Sequence, residues 1–395
     1  LEAVHDILRV LLERQPPTMH TVICTRQELP LPLHRMRARG QVTEIRERDL
    51  RFTEAEAADF LERTMGLHLD ADVIQALEGR TEGWIVGLQL AALALQEHQG
   101  DARAFVAYLG DDRYIMDYML AEVLEQQPPA IRDFVRQTAI LDRFTASLCD
   151  AVTERDDSQA VLELLESANL FLIPLDHRRE WYRYHRLFAE FLRTRLDSST
   201  RKLLHQRAMR AYQADLQVPG YLQQAIGHAL SYAALSRSSA DGTGRAHARA
   251  ADMRPEVGAA EWEDAERLIG LAAEETLHAG GVLSLRRWLE ALPDQRVRAN
   301  SELAVYKGWV LALTGEMSLA QEYAEVAHEC LRGVAETGAQ GAVWGRLLVL
   351  QSWLAVLFHQ DYSRALTLSA GALGHLGKDR SLWRVLALWV KAESQ

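Results

Sequence analysis

Cysteine, membrane-length apolar runs and the common catalytic signatures are scarce or missing in this sequence, and each absence narrows its possible roles. Only three cysteines occur, Cys24, Cys149 and Cys330, far apart and in no CxxC pair. That excludes a disulfide scaffold and a cysteine-rich metal knuckle, and implies a reduced, cytoplasmic setting. No apolar run reaches the ~18 residues of a membrane span, so no membrane partner is expected. The start carries no basic n-region followed by an apolar h-region, so no secretory leader is read there. Neither G-x-x-x-x-G-K-[ST] nor G-x-G-x-x-G is present, and nothing visible would cradle a polyphosphate with backbone amides. H-E-x-x-H and G-x-S-x-G are missing too, and the 14 histidines show no ligand spacing. No catalytic residue and no metal ligand is therefore assigned. Positive charge is also short, with 44 Lys and Arg against 55 Asp and Glu, a net charge of −11. Duplex binding needs a concentrated basic face, so this segment is not expected to be a main nucleic-acid surface.

What is present is an ordinary globular composition, 48% hydrophobic and 25% charged over 395 residues. That is enough for two or three cores. The chain opens on Leu1 rather than Met, and we expect it to be a piece of something longer. Ala3 to Arg14 carries Val4, Ile7, Leu8, Leu11 and Leu12 at helical spacing and ends at Pro16-Pro17. Thr21 to Thr25 is a β-branched run that reads as a buried parallel strand. Val42 to Ile45 alternates and reads as an edge strand.

From Thr53 the pattern turns helical. Thr53 with Glu56 fits a capping box, and Asp70 suits the cap of the next helix. Thr81-Glu82-Gly83 leads into Trp84 to Leu95, apolar on nearly every face and so a buried helix. Further helices are expected near 103–110 and 113–126, before Pro128-Pro129. Three short helical patterns follow, at 130–139, 145–153 and 158–168. Phe171 to Leu175 and Trp181 to Tyr184 then read as two strands around a charged turn, the order of a winged helix. The helix after His185 carries Leu187, Phe188, Phe191 and Leu192 on one face.

Beyond 198 only helices are read. Alanines recur in similar settings at 225, 265, 320 and 365, at intervals longer than the simplest tetratricopeptide period. Gly308, Gly315, Ala320, Ala324 and Ala327 fall where two antiparallel helices must approach closely. Residues 236–258, rich in Ser, Gly, Arg and Ala, read as an insertion or linker.

Three features could carry function, each with a plainer alternative. Arg26 follows the first expected strand, where open α/β sheets place ligands and a guanidinium can reach a γ-phosphate. The same position suits a solvated strand-end arginine. Gly83, Trp84 and Gly87 join a glycine turn to a buried helix that could pack over an adenine ring, or simply be core. His185 follows the second wing strand and could donate to a β-phosphate, or cap the next helix. Trp309, Trp344, Trp353 and Trp383 could line a small-molecule groove, or fill the core.

Together the segments Val22-Ile23-Cys24-Thr25-Arg26, Leu31-Pro32-Leu33-His34-Arg35 through Gln41, Asp49-Leu50-Arg51-Phe52-Thr53 and Arg80-Thr81-Glu82-Gly83-Trp84 resemble the MalT-like regulators of the LuxR type. Tyr182-Arg183-Tyr184-His185-Arg186-Leu187-Phe188 through Arg193 is similar to the end of that family's winged-helix domain. The likeness covers roughly residues 1–230; the later repeats are similar in kind but divergent.

The resemblance implies a STAND-type signalling ATPase of mainly α fold. Residues 1–50 would be the C-terminal part of an α/β P-loop nucleotide-binding domain. Residues 51–128 would be a helical lid domain, 129–197 a winged-helix domain and 198–395 a TPR-like superhelix interrupted about 236–258. In such proteins ADP holds a closed monomer, while ATP with Mg and an inducer at the repeats open it to self-associate. Promoter DNA is bound only through a C-terminal LuxR-type helix-turn-helix, which this chain lacks. Walker A and Walker B are lacking too. The parent would be a slow ATPase, and this segment would be inactive and bind no nucleotide tightly. By position, Arg26 would be the nucleotide sensor, Gly83, Trp84 and Gly87 part of the lid segment, and His185 a contact to bound ADP. The inducer, a small molecule or a protein, is not named by any constellation in the repeats. The alternative is a repeat-based interaction scaffold without nucleotide control.

Overall fold

The computed structural model describes residues 2–16, 18–25, 33–97, 102–107, 117–168, 170–241, 259–332, 338–376 and 381–395. Arg26, the candidate sensor, lies outside the described residues. The chain divides into two compact units, Leu1–Leu204 and His205–Gln395. No helix among the described residues is long and apolar enough to cross a membrane.

The first unit begins with helices Glu2–Arg14 and Leu33–Ala38. The two strands expected at 21–25 and 42–45 are not formed. A β-branched run favours a strand, but a strand exists only through its ladder, and no described residue supplies a neighbouring strand. Val22 is 86% exposed and Ile45 69%, the opposite of a buried sheet.

Residues 51–97 follow their sequence more closely. Thr53 caps helix Glu54–Asp59: the Glu56 N–H donates to its hydroxyl at 3.3 Å, and the Thr53 N–H donates to the Glu56 carboxylate at 2.9 Å. This reciprocal box satisfies two otherwise orphaned donors. The helix then widens into a π-helical turn at Phe60–Thr64. Asp70 begins helix Ala71–Thr81, but its side chain makes no cap and turns to Arg103 at 3.4 Å. Helix Ile85–Glu97 buries Leu88, Ala91, Ala92, Ala94 and Leu95. Helix Ala102–Ala107 and a π-helical turn at Met119–Leu124 follow among the described residues.

The winged helix forms as its pattern dictates. Helices Pro129–Thr138, Ala146–Thr153 and Ser158–Ser167 precede antiparallel strands Leu172–Pro174 and Tyr182–Tyr184. Leu172 faces Tyr184, Ile173 faces Arg183 and Pro174 faces Tyr182. Phe144 exchanges two backbone hydrogen bonds of 2.8 Å with Tyr182 and extends the ladder by one rung. Asp176 closes the turn by accepting the N–H groups of Glu180 and Trp181 at 3.1 and 2.9 Å. The second strand alternates: Tyr182 and Tyr184 are buried, and Arg183 points away from that core. The Tyr184 phenol meets the Thr138 hydroxyl at 2.7 Å, so its polar end is satisfied inside. Helix Arg186–Thr194 then buries Leu187, Phe188, Phe191 and Leu192.

The second unit is all helix among its described residues. Tyr221–Asp241 packs on Ala259–His278, Ser301–Leu313 on Met317–Leu331, and Gly338–Leu357 on Tyr362–His375, before a last helix Leu382–Glu393. Helices Val282–Ala291 and Asp294–Ala299 lie between the first two pairs in the chain. Of the expected linker 236–258, residues 236–241 are helical and the remainder lies outside the described residues. The small-residue reading holds for Gly308, where a Cβ would sit 2.7 Å from Leu350 and 3.4 Å from the Ala320 carbonyl. Gly315 serves differently. It occupies the turn with φ +89 and open space around it, so backbone conformation rather than close approach calls for glycine. Trp309 and Trp383 are core, each 2% exposed, with ring centroids 5.3 Å apart. Trp353 is partly buried beside them, and Trp344 packs edge-on against His328 at 5.2 Å.

Candidate functional site

The residues singled out at 83–87 and at the wing converge on one seam inside the first unit, between the turn 81–84 and the stretch 183–190. The turn is built by a helix end. Thr81 closes helix Ala71–Thr81 with its hydroxyl on the Leu77 carbonyl at 2.8 Å. Glu82 then takes a left-handed conformation, φ 51, and Gly83 follows at φ +69. Two consecutive positive-φ residues reverse the chain and launch Ile85–Glu97. Gly83 has no room for a side chain: a Cβ would lie 2.4 Å from the Phe52 carbonyl oxygen. The close approach lets the Phe52 N–H donate to the Gly83 carbonyl at 2.9 Å.

Across the seam, His185 is 3% exposed, and its Nε2 lies 2.9 Å from the Thr81 carbonyl oxygen. A carbonyl only accepts, so Nε2 carries the hydrogen. The His185 N–H donates to the Phe171 carbonyl at 2.8 Å. Trp84 packs across the seam, edge-on to Phe171 at 5.1 Å, and also meets His185 at 5.9 Å and Tyr118 at 5.8 Å. Gly87, one turn along, leaves space for that indole; a Cβ there would stand 2.6 Å from the Trp84 ring and 3.4 Å from Leu187.

The charges around this box were quoted in the sequence but given no role. Arg183 grips the Glu82 carboxylate with two parallel bonds of 2.7 and 2.8 Å. The Arg186 N–H, at the start of its helix, donates to the same carboxylate at 3.2 Å. Arg51 stands 3.5 Å from its other oxygen. Burial pushes the Glu82 carboxyl up. The Arg183 hydrogen bonds, the nearby His185 and Arg183 charges and the Arg186 N–H outweigh that and hold it below the ordinary range. A second carboxylate, Glu190, receives Arg80 from helix Ala71–Thr81 at 3.0 Å and Arg186 from its own helix at 3.3 Å.

The arrangement joins rather than reacts. It pairs no nucleophile with a base, and among the described residues no cluster of three or more His, Cys, Asp or Glu could hold a metal. A surface groove of about 430 Å³ beside Phe52 is lined by Ala55, Glu56, Asp59, Phe60 and Thr64. Its carboxylates are engaged, Glu56 by Thr53 and Asp59 by Arg63 at 2.7 Å. Of the sequence candidates, Gly83, Trp84, Gly87 and His185 thus come together, and Arg26 cannot be placed with them. Glu82, Arg183, Glu190 and Phe171 were missed. The one available signal was the Tyr-Arg-Tyr alternation, which sends a cation off the wing's core face.

Residues 120–204 match the family described as the MalT winged helix domain. Over 233 residues, 58% of this chain, the sequence is 31% identical to the HTH-type transcriptional regulator MalT of Klebsiella pneumoniae. Over 194 residues, 48% of the chain, it is 32% identical to MalT of Vibrio cholerae. The matched regions make up 25% and 21% of those proteins, so the likeness extends over about a quarter of the relatives' length. A solved structure similar over 87% of this chain and 50% of its own is a STAND protein with a tetratricopeptide repeat sensor from Pyrococcus horikoshii, at 14% identity and a TM-score of 0.40.

Proposed function

We propose that this MalT-like chain, with its MalT winged helix domain at 120–204, is the regulatory core of an ATP-gated transcription regulator. The seam at Glu82 is then its closed state. The single observation that carries this reading is the bidentate Arg183–Glu82 pair, which joins lid and wing across 101 residues of sequence. Around it ion pairs and hydrogen bonds stand beside the apolar contact of Trp84 with Phe171. Directional charged contacts of this kind can be exchanged for others, as the contacts within a fused apolar core cannot.

In this reading nucleotide state and an inducer at the helical repeats set whether the seam is shut. Opening frees the protein to self-associate, and promoter DNA is met by a helix-turn-helix outside this chain. The described residues do not fit a polyphosphate site by themselves. They offer no glycine-rich cradle, and Nε2 of His185 is already given to the Thr81 carbonyl. We therefore derive no chemical step through ATP, ADP or Mg. With Nε2 given to the Thr81 carbonyl, His185 would report seam opening as much as nucleotide. Arg26 keeps its proposed sensor role by sequence position alone, and Gly83, Trp84 and Gly87 act as the hinge and wedge of the lid.

The test is hydrogen exchange across 81–87 and 183–188 in the full-length protein, with ADP and with ATP. Slower exchange with ADP is expected. Equal exchange in both nucleotides overturns the gating. Partner binding by the repeats that is indifferent to nucleotide would instead establish an interaction scaffold. Couplings between sites usually run about 1–3 kcal/mol, well within reach of this measurement.

A further inference from the structure

The carboxylates of the seam share an organisation that pairing alone does not require. Glu82 is held by Arg183 from across the seam and approached by Arg51 from its own side, at 3.5 Å on the same oxygen that Arg183 Nη2 holds at 2.8 Å. Glu190 is held by Arg80 from across the seam and by Arg186 on its own helix. Each carboxylate therefore has one cation that leaves when lid and wing separate and one that stays. We infer that the seam is a partner-exchange latch, in which Arg51 takes over Glu82 and Arg186 keeps Glu190 as Arg183 and Arg80 withdraw.

The physical reason is the cost of an abandoned charge. Breaking an ion pair by removing one partner from a poorly solvated site is far more costly than exchanging it for another. Glu82 is the more enclosed member, its side chain 14% exposed, against 29% for Arg51 and 32% for Arg183. The arginines can reach water; the carboxylate needs a replacement at hand. The backbone supplies it. The Phe52 N–H on the Gly83 carbonyl ties residues 51–52 to the turn that carries Glu82. The missing side chain at Gly83 allows that approach. Arg51 thus travels with Glu82, while Arg183 travels with the wing strand.

Backbone strain sits on both sides of the same contact. Glu82 on the lid and Phe171 on the wing both hold positive φ, 51 and 55. That conformation is unfavourable for any residue with a Cβ, and especially for a bulky aromatic one. It persists where surrounding contacts over-determine it, and such residues gather at switches. Phe171 is fixed by the His185 N–H on its carbonyl and by rings of Trp84 and Phe188 at 5.1 and 5.3 Å. The latch therefore has two held states rather than one bonded and one broken state.

This inference rests on the reading that the seam parts during signalling, but its test contains no nucleotide. Failure of nucleotide gating would leave the outcome below untouched. The probe is the Arg186 amide, which donates to Glu82 across the seam. Its exchange is followed in the intact chain. R183Q removes the closing cation and is expected to speed exchange at least tenfold. R51Q removes the replacement cation, penalises the open state more than the closed one, and is expected to slow exchange at least threefold. In an E82Q background R51Q is expected to change nothing. A merely structural Arg51 gives the opposite sign, so faster or unchanged exchange in R51Q overturns the proposal. R51M, which keeps the alkyl stem without the charge, carries the same two outcomes should the glutamine variant fold poorly.

Discussion

The seam at Glu82 and the helical hairpin formed by Ser301–Leu313 and Met317–Leu331 each use a glycine to bring backbones together, and they are held by different forces. At the seam, Gly83 lets two backbone segments meet so that a carboxylate and its arginines can be positioned. In the hairpin, Gly308 lets Leu350 and the Ala320 backbone press in, and Trp309, Tyr306 and Trp383 fill the surroundings. Apolar burial is non-directional and lost only by exposing area to water. Charged hydrogen bonds are directional and can be traded for others. The polar part of the first region is joined by bonds that can be exchanged, the second region by area that must stay covered.

The strongest test of that contrast lies in the hairpin. Trp309→Ala should destabilise the second unit by about 3–5 kcal/mol through transfer loss and cavity formation. Denaturant unfolding followed at probes in 205–395 checks it. A loss under about 1 kcal/mol would mean the tryptophans are not its core. Gly83→Ala comes next, at roughly 1–3 kcal/mol, because alanine is strained at φ +69 and its methyl meets the Phe52 backbone. The loss should appear as faster exchange of the Phe52 and Arg186 amides, with the second unit unchanged.

The contrast is sharpened by acid. Glu82 has a folded value below its ordinary 4.5. Its contribution is therefore complete above that ordinary value and is lost as pH falls through the lower folded one. An NMR titration of the Glu82 carboxyl carbon should place its midpoint below the ordinary value. A midpoint at or above it would contradict the geometry. Glu82→Gln should reproduce the acid state at neutral pH, at a cost of about 1–2 kcal/mol. The smallest effect is Thr53→Ala. It removes an exposed cap and should cost about 0.5–1 kcal/mol, read as a small fall in the melting temperature of the first unit with seam exchange unchanged.

What the sequence disclosed follows from the range of the forces involved. The Thr53–Glu56 box was legible because its partners are three residues apart. The wing hairpin was legible because alternation and a charged turn are local patterns. The resemblance to MalT-like regulators carried the winged helix as well, and the family match at 120–204 falls on it. The strands at 21–25 and 42–45 failed because a β-branched run favours extension, whereas a ladder needs a neighbour that composition does not disclose. Gly315 was read as a contact and is a turn, since a glycine letter does not say whether φ or space demands it. At the seam, Gly83, Trp84, Gly87 and His185 stood out as unusual residues in a glycine turn and after a strand. Their contacts did not. Arg183 and Glu82 lie 101 residues apart, Arg80 and Glu190 110, and no periodicity links them.

The wing hairpin has one more consequence, for how this chain can drift. Its two strands are three residues each, and Arg183 reaches Glu82 only because Tyr182 and Tyr184 take the inward places. One residue gained or lost within those rungs would turn the guanidinium into the pocket where Tyr184 meets Thr138 and offer a phenol to the carboxylate. Length changes between Asp176 and Glu180 leave the rungs in step. Lineages should therefore rewrite that loop freely while the strands on either side keep their frame, so that the hairpin acts as a parity check on which side chain faces Glu82.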